Sequence, residues 1–425
     1  MRMEKIPYGQ SHQILATDER RQVNVLRMKT RTSEGLPSEA EIIAAALAAP
    51  IGSPPLSELA RGKKKVVIIT SDHTRPVPSR LTLPPMLAEV RRASPEADIT
   101  ILIAVGSHRA TTDEEMREKF GPELVATERI VNHDPGDESA LISVGRLPSG
   151  GELSLNRLAV EADLLLADGF IEPHQFAGFS GGRKSVLPGV AALKSVLASH
   201  NAEFTVHPKA RPGVLDGNPF QEDMLQAARL ARLAFILNVT LSPDKRVTAA
   251  FAGEPDLAHR AGCRFVAEEC SVKAAPAPIV VTSNGGYPLD QNIYQATKSM
   301  MAADLTCAPG GVIVAVNECR DGHGAEGFYE TFRQAGSLDD LLKEISGRKS
   351  DETQPDQWVI QLTASILRRR RIILVSAAPP ELAEAFGLIP AADLQTAMAM
   401  AEKMTGDPMS PVTVLPEAVS LIITE

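Results

Sequence analysis

Three histidines stand at points where this chain changes from a regular element to a turn. His108 follows a run rich in β-branched residues, His174 opens a glycine-rich turn, and His200 follows an expected helix. A neutral imidazole titrates at a pH of about 6.5 and also ligates metals, so these residues are candidates for acid–base chemistry or metal binding. Their spacing matches no compact zinc signature, which leaves open a hydrolase that uses all three as zinc ligands.

The densest group of chemically interesting residues is a glycine-rich segment. Gly178, Gly181 and Gly182 closely precede the basic pair Arg183 and Lys184. Glycines let consecutive backbone N–H groups approach an anion, and the two basic side chains add positive charge at the same place. The segment therefore predicts a phosphate-binding or nucleotide-binding loop, although it lacks the spacing of a Walker A loop.

Polar residues also follow the first buried-type strand, in the run Ser71-Asp-His-Thr-Arg-Pro76. Asp72 can accept hydrogen bonds from ribose hydroxyls, Thr74 can donate to phosphate, and Arg75 can pair bidentately with a carboxylate. The alternative is a simple helix cap, with Asp72 or Thr74 as the N-cap and Pro76 at the first helical position. That alternative leaves Arg75 unexplained.

A fourth polar group follows the turn at Gly285-Gly286. If the next segment is helical, four polar side chains share one of its faces: Gln291, Tyr294, Gln295 and Lys298. Such a stripe can simply face solvent, but its position after a glycine turn at a strand end makes it a candidate binding surface.

The elements that must position these residues alternate between strand and helix. Expected strands cover residues 66–70, 99–105, 164–167, 278–282, 311–316, 372–375 and 412–415, and expected helices cover residues 83–93, 191–199, 291–303, 330–345, 357–367 and 391–404. This alternation predicts an α/β fold with two domains, each with an open, mostly parallel sheet flanked by helices. Ligands bind such sheets at the carboxyl ends of the strands, and we expect the active site in the cleft between the two domains.

The expected domain boundary lies near residues 255–275, where Gly253-Glu-Pro255 and Ala274-Ala-Pro-Ala-Pro278 have the composition of connectors. It predicts an N-terminal domain of residues 1–265, which carries the histidines and the glycine-rich segment. It also predicts a C-terminal domain of residues 266–425, which contributes the polar helix face.

The composition argues against two classes of partner. The 425 residues carry a net charge of -9 and only 4% aromatic side chains, which is unlike a nucleic-acid-binding surface. The longest apolar runs are too short for a bilayer, which needs about 20 residues. The four cysteines include no C-x-x-C pair and do not suggest a disulfide framework. We therefore expect a cytoplasmic protein with neither a nucleic-acid nor a membrane partner.

Taken together, these motifs resemble one family, the nickel-pincer-nucleotide lactate racemases and their 2-hydroxyacid racemase homologues. The resemblance spans nearly the whole chain and rests on Ser71-Asp-His-Thr-Arg-Pro76, Gly106-Ser-His-Arg109, Pro173-His-Gln-Phe-Ala-Gly-Phe-Ser-Gly-Gly-Arg-Lys184, His200, Tyr294-Gln-Ala-Thr-Lys298 and Trp358. The long glycine block is highly specific, and the other motifs occur in the family's order.

The resemblance implies a nickel cofactor. Its nucleotide, pyridinium-3,5-bisthiocarboxylic acid mononucleotide, would be joined covalently to Lys184 through a thioamide, with nickel held by the cofactor and by His200. Soft sulfur and imidazole are reasonable donors for nickel. Further cofactor contacts are implied for Asp72, His73, Thr74 and Arg75. Substrate contacts are implied for Arg75, Gln295, Lys298 and Trp358. Cofactor-biosynthesis and nickel-insertion proteins are implied as partners.

The implied reaction is the interconversion of D- and L-lactate. The C–H group next to the carboxylate and hydroxyl is a very poor acid, so simple proton removal by a histidine is implausible. One histidine would instead take the hydroxyl proton while a hydride moves to the cofactor, and pyruvate would form. His108 would serve one enantiomer and His174 the other.

Other functions stay open at this point. The same chemistry could act on malate or on a longer or aromatic 2-hydroxy acid, and malate would require a second cation, for which Arg80, Arg109 and Arg320 are conceivable. A zinc-dependent hydrolase, a nicotinamide dehydrogenase and a non-enzymatic binding protein are alternatives of other classes. The dehydrogenase is disfavoured because no G-x-G-x-x-G fingerprint follows a strand.

Overall fold

The computed structural model describes residues 1–29 and 35–425, which form two compact units. The C-terminal unit contains Met1–Lys29, Asn201–Pro208 and Cys270–Glu425. The N-terminal unit contains the described part of Thr30–His200 together with Lys209–Glu269. These units differ from the expected division at residue 265, because the first 29 residues belong with the C-terminal unit.

Helices and strands alternate along both units. The strands are β1 (Arg2–Tyr8), β2 (Ser11–Thr17), β3 (Val23–Val25), β4 (Lys65–Ser71), β5 (Asp98–Ala104), β6 (Arg129–Asn132), β7 (Leu141–Arg146), β8 (Glu152–Asn156), β9 (Leu164–Phe170), β10 (Pro173–His174), β11 (Gly178–Phe179), β12 (Leu233–Leu241), β13 (Val247–Gly253), β14 (Ser271–Lys273), β15 (Ala277–Thr282), β16 (Cys307–Val316), β17 (Arg371–Val375), β18 (Ile389–Ala391), β19 (Val412–Leu415) and β20 (Ile422–Thr424). The α-helices are α1 (Glu39–Ala48), α2 (Leu56–Ala60), α3 (Ser79–Ala93), α4 (Asp113–Phe120), α5 (Pro122–Thr127), α6 (Arg157–Val160), α7 (Leu193–Ser199), α8 (Ala202–Thr205), α9 (Pro219–Leu230), α10 (Pro255–Cys270), α11 (Ile293–Asp304), α12 (Glu326–Gln334), α13 (Leu338–Gly347), α14 (Gln357–Leu367), α15 (Pro380–Ala385) and α16 (Leu394–Thr405). Short 3₁₀ helices cover Glu138–Ala140, Gly182–Ser185, Ser350–Glu352 and Ala418–Ser420.

The sheet of the N-terminal unit has the strand order β13-β12-β9-β4-β5-β6, and all neighbours are parallel except β12 and β13. Its central strands are continuous apolar runs, which is typical of parallel strands buried on both faces. The chain passes from β4 outward to β5 and β6, and then returns to β9 on the other side of β4. This reversal of strand order lies at the carboxyl ends of β4 and β9, where open α/β sheets bind their ligands.

The sheet of the C-terminal unit has the order β18-β17-β16-β15-β19-β3, with all neighbours parallel. Strand β3 extends this sheet by pairing with β19. The turn between β1 and β2 is also held here, because the buried carboxylate of Asp290 accepts hydrogen bonds from the backbone N–H groups of Gly9 at 2.7 Å and Glu318 at 3.1 Å. These long-range contacts explain why residues 1–29 do not belong to the N-terminal unit.

For some elements the bounds expected from the sequence agree with the structure, and for others the expectation is wrong. Helix α14 and strand β19 match the expected ranges, whereas the single helix expected at residues 330–345 is two helices. The break comes at Ser337, whose hydroxyl accepts a hydrogen bond from the backbone N–H of Asp340 and so begins α13. The boundary region expected near residues 255–275 is mostly occupied by the long helix α10. The alternative helix cap at Asp72 or Thr74 is also wrong, because α3 begins only at Ser79.

In the described part of the chain, no helix is both long enough and apolar enough to cross a membrane.

Candidate active site

The loops that follow β4 and β5 bring Asp72 and His108 together. The Nδ1 atom of His108 lies 2.7 Å from Oδ2 of Asp72. The other carboxylate oxygen accepts hydrogen bonds from the backbone N–H of Thr74 at 3.1 Å and from its hydroxyl at 2.6 Å. Burial opposes ionisation of Asp72, but the hydrogen bonds from His108 and Thr74 outweigh it and lower the pKa of this carboxyl. A buried carboxylate therefore orients an imidazole that is 42% exposed, as in a general acid–base pair.

His73 and Arg109 share a carboxylate on helix α4. The Nδ1 atom of His73 lies 3.3 Å from the hydroxyl oxygen of Thr111 and 3.8 Å from a carboxylate oxygen of Glu115. Arg109 donates to both carboxylate oxygens of Glu115, at 2.8 and 2.5 Å. The hydrogen bond from Arg109 is the main reason why the pKa of Glu115 is lowered to about 2. The charge of Arg109 is thus already matched by a carboxylate of this chain.

Arg75 contrasts with Arg109, because its side chain is exposed and it takes part in none of the ion pairs formed by the described residues. Its backbone is held in place by Lys119 of α4, whose ammonium group donates to the carbonyl oxygens of Arg75 at 2.8 Å and Val77 at 3.4 Å. Burial lowers the pKa of Lys119. The loop after β4 therefore presents a guanidinium group on an anchored backbone, which suits recognition of a carboxylate.

The glycine loop, residues 172–189, packs so closely that side chains at its glycines would collide with the rest of the N-terminal unit. A Cβ atom on Gly178 would lie 2.1 Å from the carbonyl oxygen of Val214, and one on Gly182 would lie 2.6 Å from the ring of His259. The backbone N–H of Gly182 donates to the Oδ1 atom of Asn238 at 2.6 Å. The expectation of an open phosphate nest is wrong at Gly182, because this N–H group is already bonded inside the protein.

Arg183 also points into the protein, so the expectation that it adds positive charge for a ligand is wrong. Only 2% exposed, it donates to the side-chain oxygen of Gln221 at 2.9 Å and pairs with the carboxylate of Asp256. The amide of Gln221 in turn donates to the carbonyl oxygen of Ala177. Arg183 therefore braces the glycine loop from within the unit.

Lys184 lies in the short 3₁₀ helix of this braced loop, directly after Arg183. The end of the loop contacts the turn that carries His108, because the backbone N–H of Gly106 donates to the carbonyl oxygen of Gly189 at 3.0 Å. A Cβ atom on Gly189 would lie only 2.0 Å from the carbonyl oxygen of Ser185. Lys184 and His108 are thus carried on two loops that touch at the same sheet edge.

Phe176 of the glycine loop packs between the other two histidines. Its ring centroid lies 4.6 Å from that of His174 and 5.4 Å from that of His200, both in edge-on geometry. Phe220 adds a second ring 5.4 Å from His200. The backbone N–H of Ala177 donates to Nδ1 of His174 at 3.3 Å. The aromatic cluster brings the glycine loop next to the end of α7, where His200 is the C-terminal cap.

His200 is held as a neutral imidazole. Its Nδ1 atom donates a hydrogen bond to the carbonyl oxygen of Val196 at 2.8 Å. Burial, together with the positive charge of Lys184, lowers the pKa of His200 to about 4. A neutral ring that donates through Nδ1 carries its lone pair on Nε2, which is the form that binds metals.

Within residues 1–29 and 35–425, no three His, Cys, Asp or Glu side chains form a group placed to hold a metal ion. His108, His174 and His200 therefore do not form the three-histidine ligand set that a zinc hydrolase would use here. A metal at His200 would need most of its donors from elsewhere.

The C-terminal unit places the remaining expected site residues on two helices. Gln295 and Lys298 lie in α11, whose first turn is capped by the side chain of Asn292. Trp358 lies in α14, and both helices pack on the same core cluster. The hydroxyl of Tyr294 donates to the carboxylate of Asp356 at 3.0 Å, which joins the two helices near these residues. The expected polar stripe is shorter than predicted, since α11 begins after Gln291.

Four residues that position the site gave no signal in the sequence: Lys119, Gln221, Asn238 and Asp256. Each acts through hydrogen bonds or ion pairs with residues far along the chain, and no local pattern reveals such partners. Asp168 directly follows the strand expected at residues 164–167, but it lies within β9 as a buried residue, where the hydroxyl of Thr82 donates to it at 2.6 Å. Burial raises the pKa of Asp168.

Two family models match the chain. The lactate racemase N-terminal domain matches residues 8–213, and the lactate racemase C-terminal domain matches residues 272–423. Among curated proteins, a lactate racemase from Thermoanaerobacterium thermosaccharolyticum is 49% identical over 422 residues, which cover 99% of both chains. A lactate racemase from Lactiplantibacillus plantarum is 45% identical over 419 residues, 98% of this chain and 99% of that protein.

Solved structures agree with these similarities. The lactate racemase apoprotein from Thermoanaerobacterium thermosaccharolyticum superposes with a TM-score of 0.96 at 49% identity over 100% of both chains. A protein from Thermotoga maritima shares the fold alone, with a TM-score of 0.64 at 20% identity over 91% of this chain and 98% of that chain.

Proposed function

Because the chain belongs to the lactate racemase family, we propose that it is an isomerase that interconverts D- and L-lactate. One observation carries the proposal beyond similarity. The carboxyl edge of the N-terminal sheet joins an imidazole oriented by a buried carboxylate, an exposed guanidinium and a rigidly packed loop with Lys184. These are the groups needed to move a hydroxyl proton and to hold a small carboxylate.

We further propose that a nickel-pincer nucleotide is joined to Lys184, with His200 as the protein ligand of nickel. The residues fit such a group. His200 is buried and neutral with its lone pair on Nε2, and the charge of Lys184 is close enough to affect its pKa. When bound, the cofactor supplies an acceptor for the C2 hydrogen and its electron pair. Asp72, His73, Thr74 and Arg75 are the proposed cofactor contacts.

The chain's own residues then handle the proton and the carboxylate. His108 and His174 are the proposed acid–base pair: one takes the hydroxyl proton of lactate as C2 is oxidised, and the other returns a proton when the second enantiomer forms. Substrate contacts are proposed for Arg75, Gln295, Lys298 and Trp358. Arg75 is the natural partner of the carboxylate, because no carboxylate of the described residues pairs with it.

Lactate is favoured over malate because the three arginines considered for a second carboxylate all have partners within the chain. Arg109 is paired with Glu115, Arg320 with Glu318, and Arg80 donates to the carbonyl oxygen of Glu118. These arginines would have to break their contacts within the chain before they could bind the second carboxylate of malate.

We propose cytoplasmic catalysis that depends on cofactor-biosynthesis and nickel-insertion proteins. Chain produced without those partners is expected to be inactive.

The deciding experiment follows the hydrogen at C2. Cofactor-loaded enzyme is given L-lactate deuterated at C2, and the D-lactate formed is analysed by chiral separation and mass spectrometry. We expect D-lactate that keeps its deuterium, because the hydrogen is stored away from water. Loss of the label to solvent would contradict hydride transfer, whereas racemisation of malate but not lactate would contradict the substrate assignment.

A further inference from the structure

The Nδ1 atoms of the two candidate acid–base histidines have opposite hydrogen-bonding roles: one donates and the other accepts. Nδ1 of His108 faces the Asp72 carboxylate at 2.7 Å, and an ionised carboxylate can only accept, so His108 donates through Nδ1–H. Nδ1 of His174 faces the backbone N–H of Ala177 at 3.3 Å, and an N–H group can only donate, so His174 accepts. The two rings are therefore held in different tautomers.

The other hydrogen bonds of Asp72 favour the bond that it accepts from Nδ1–H of His108. The backbone N–H and hydroxyl of Thr74 both donate to Oδ1 of Asp72, at 3.1 and 2.6 Å, which leaves Oδ2 directed at His108. Asp72 is 2% exposed, so water does not compete for this oxygen. The hydrogen bonds from His108 and Thr74 also keep the pKa of Asp72 low despite its burial.

We infer that the two histidines are inequivalent: in its neutral form His108 carries its ring hydrogen on Nδ1 and presents the lone pair of Nε2 as a proton acceptor, whereas in its neutral form His174 carries its ring hydrogen on Nε2. Asp72 and the backbone of Ala177 are the positioning groups. The tautomers stand on geometry alone, while their catalytic meaning rests on the proposed function.

The two tautomers set an order for the proton movements. With both rings neutral, the hydroxyl proton of a bound 2-hydroxy acid can move to Nε2 of His108, and the resulting imidazolium keeps its Nδ1–H on Asp72. The proposed cofactor would supply the acceptor for the C2 hydrogen and its electron pair, which would leave a 2-oxo acid and balance the charge. When the second enantiomer forms, Nε2–H of His174 can pass its proton to the substrate oxygen while Nδ1 takes up a proton from water, which breaks the bond from Ala177, and His108 returns its own extra proton to water.

The equal free energies of the two lactates limit which kinetic constants can reveal the difference between the two histidines. The two lactates are mirror images, so their equilibrium constant is one and kcat/KM must be equal in both directions. The inequivalence of the two rings is expected instead in kcat and in KM taken separately, with different values for the two enantiomers.

The direct test is the tautomer itself, observed in protein without cofactor. The chain is labelled with ¹⁵N in its histidine rings, and two-bond ¹⁵N–¹H spectra distinguish Nδ1–H from Nε2–H rings. His108→Gln and His174→Gln variants assign the signals. We expect His108 as the Nδ1–H tautomer and His174 as the Nε2–H tautomer, and the same tautomer for both rings would overturn the inference.

A matched pair of variants tests the role of Asp72. Asp72→Ala should shift His108 toward the Nε2–H tautomer and leave His174 unchanged. Asp137→Ala is the control, because Asp137 accepts hydrogen bonds from the N–H and hydroxyl of Ser139 in the same kind of turn, and its carboxylate forms no hydrogen bond with a histidine among the described residues. An unchanged His108 tautomer in Asp72→Ala would contradict the assignment. If that variant does not fold, Asp72→Asn keeps the acceptor for Thr74, and the wild-type spectrum still decides the tautomers.

Kinetic measurements on the cofactor-loaded enzyme distinguish a failure of the tautomer assignment from a failure of the proposed function. In loaded enzyme, Asp72→Asn should lower kcat/KM about 10²-fold and equally in both directions, since general acid–base catalysis contributes on the order of 10²–10⁴-fold. Opposite tautomers in a loaded enzyme that does not act on lactate would refute the proposed function alone. Identical tautomers in an enzyme that racemises lactate would refute this inference alone.

Discussion

At the scale of single residues, the site depends on groups whose charge state is set by burial. His200 is neutral because it is buried next to Lys184, and Asp72 is ionised because its hydrogen bonds outweigh its burial. The same buried environment that tunes these groups also limits substitution, since a buried polar group without its partner costs about 1–3 kcal/mol.

Lys184 should be replaceable structurally but not chemically. In Lys184→Arg the positive charge is kept, but a guanidinium does not form the proposed covalent link. We expect intact-mass spectra of protein made with the cofactor-producing partners to lack the cofactor increment, and racemase activity to be lost with it, because the proposed covalent group cannot form. Lys194→Arg, an exposed position in α7, is the control and should carry the full increment. An increment on Lys184→Arg would contradict the attachment site.

His259 should make stability depend on pH. Burial and then the positive charge of Arg183 lower the pKa of His259 to about 3, below the value of about 6.5 in an unfolded chain. Between these values the unfolded state binds a proton that the folded state does not, so stability falls as the pH falls from about 6.5 toward 3. His259→Gln should reduce this slope by up to ~1.4 kcal/mol per pH unit. Urea unfolding at several pH values measures this dependence of stability on pH. An unchanged slope in His259→Gln would show that His259 does not cause it.

At the scale of elements, loops are held by side chains from helices that follow much later in the chain. Arg183 of the glycine loop is fixed by Gln221 of α9 and Asp256 of α10, and Lys119 of α4 anchors the loop after β4. Loops that carry catalytic residues need this support, because an error of an ångström in position is costly for catalysis.

Breaking the brace at Asp256 should be costly. Asp256→Asn leaves the buried guanidinium of Arg183 without its carboxylate and also loses the pair with Arg260. Removing one partner of a buried pair costs about 3–5 kcal/mol, and the partial exposure of Asp256 reduces the expected loss to ~2 kcal/mol. Glu161→Gln, which breaks the exposed pair with Arg157, should cost less than ~0.5 kcal/mol. Denaturant unfolding compares them, and similar small losses would argue against a structural role for Arg183.

At the scale of the whole molecule, chain order and spatial order differ. The first 29 residues complete the sheet of the C-terminal unit, through β3 on β19 and through Asp290 on the turn at Gly9. A domain dissected at residue 265 would therefore leave the C-terminal unit with an open sheet edge, and open edges invite aggregation.

Deletion of residues 1–29 should destabilise the C-terminal unit selectively. Strand β19 loses β3, one of its two neighbours, and the buried carboxylate of Asp290 loses the N–H of Gly9. Hydrogen exchange should speed up by at least tenfold in β19 and β15 and stay unchanged in β4 and β5. Equal acceleration in all four strands, or in none, would show that the two units do not have the separate stabilities expected here.

The sequence by itself determined the local architecture and the candidate residues. Apolar runs and helical periodicity predict β4, β5, α14 and β19 closely, because these patterns depend on neighbours a few residues away. The chemistry of the motifs also indicated the correct family. The glycine block was recognisable because backbone that packs this closely admits only glycine.

Only the tertiary structure decided which groups meet. Three arrangements depend on partners far along the chain. Asp72 orients His108, Arg183 turns inward to Asp256, and residues 1–29 join the C-terminal sheet. Hydrogen bonds and ion pairs are made at about 3 Å, whereas sequence patterns carry information over a few residues. The direction in which a polar side chain turns is therefore settled by the fold that surrounds it.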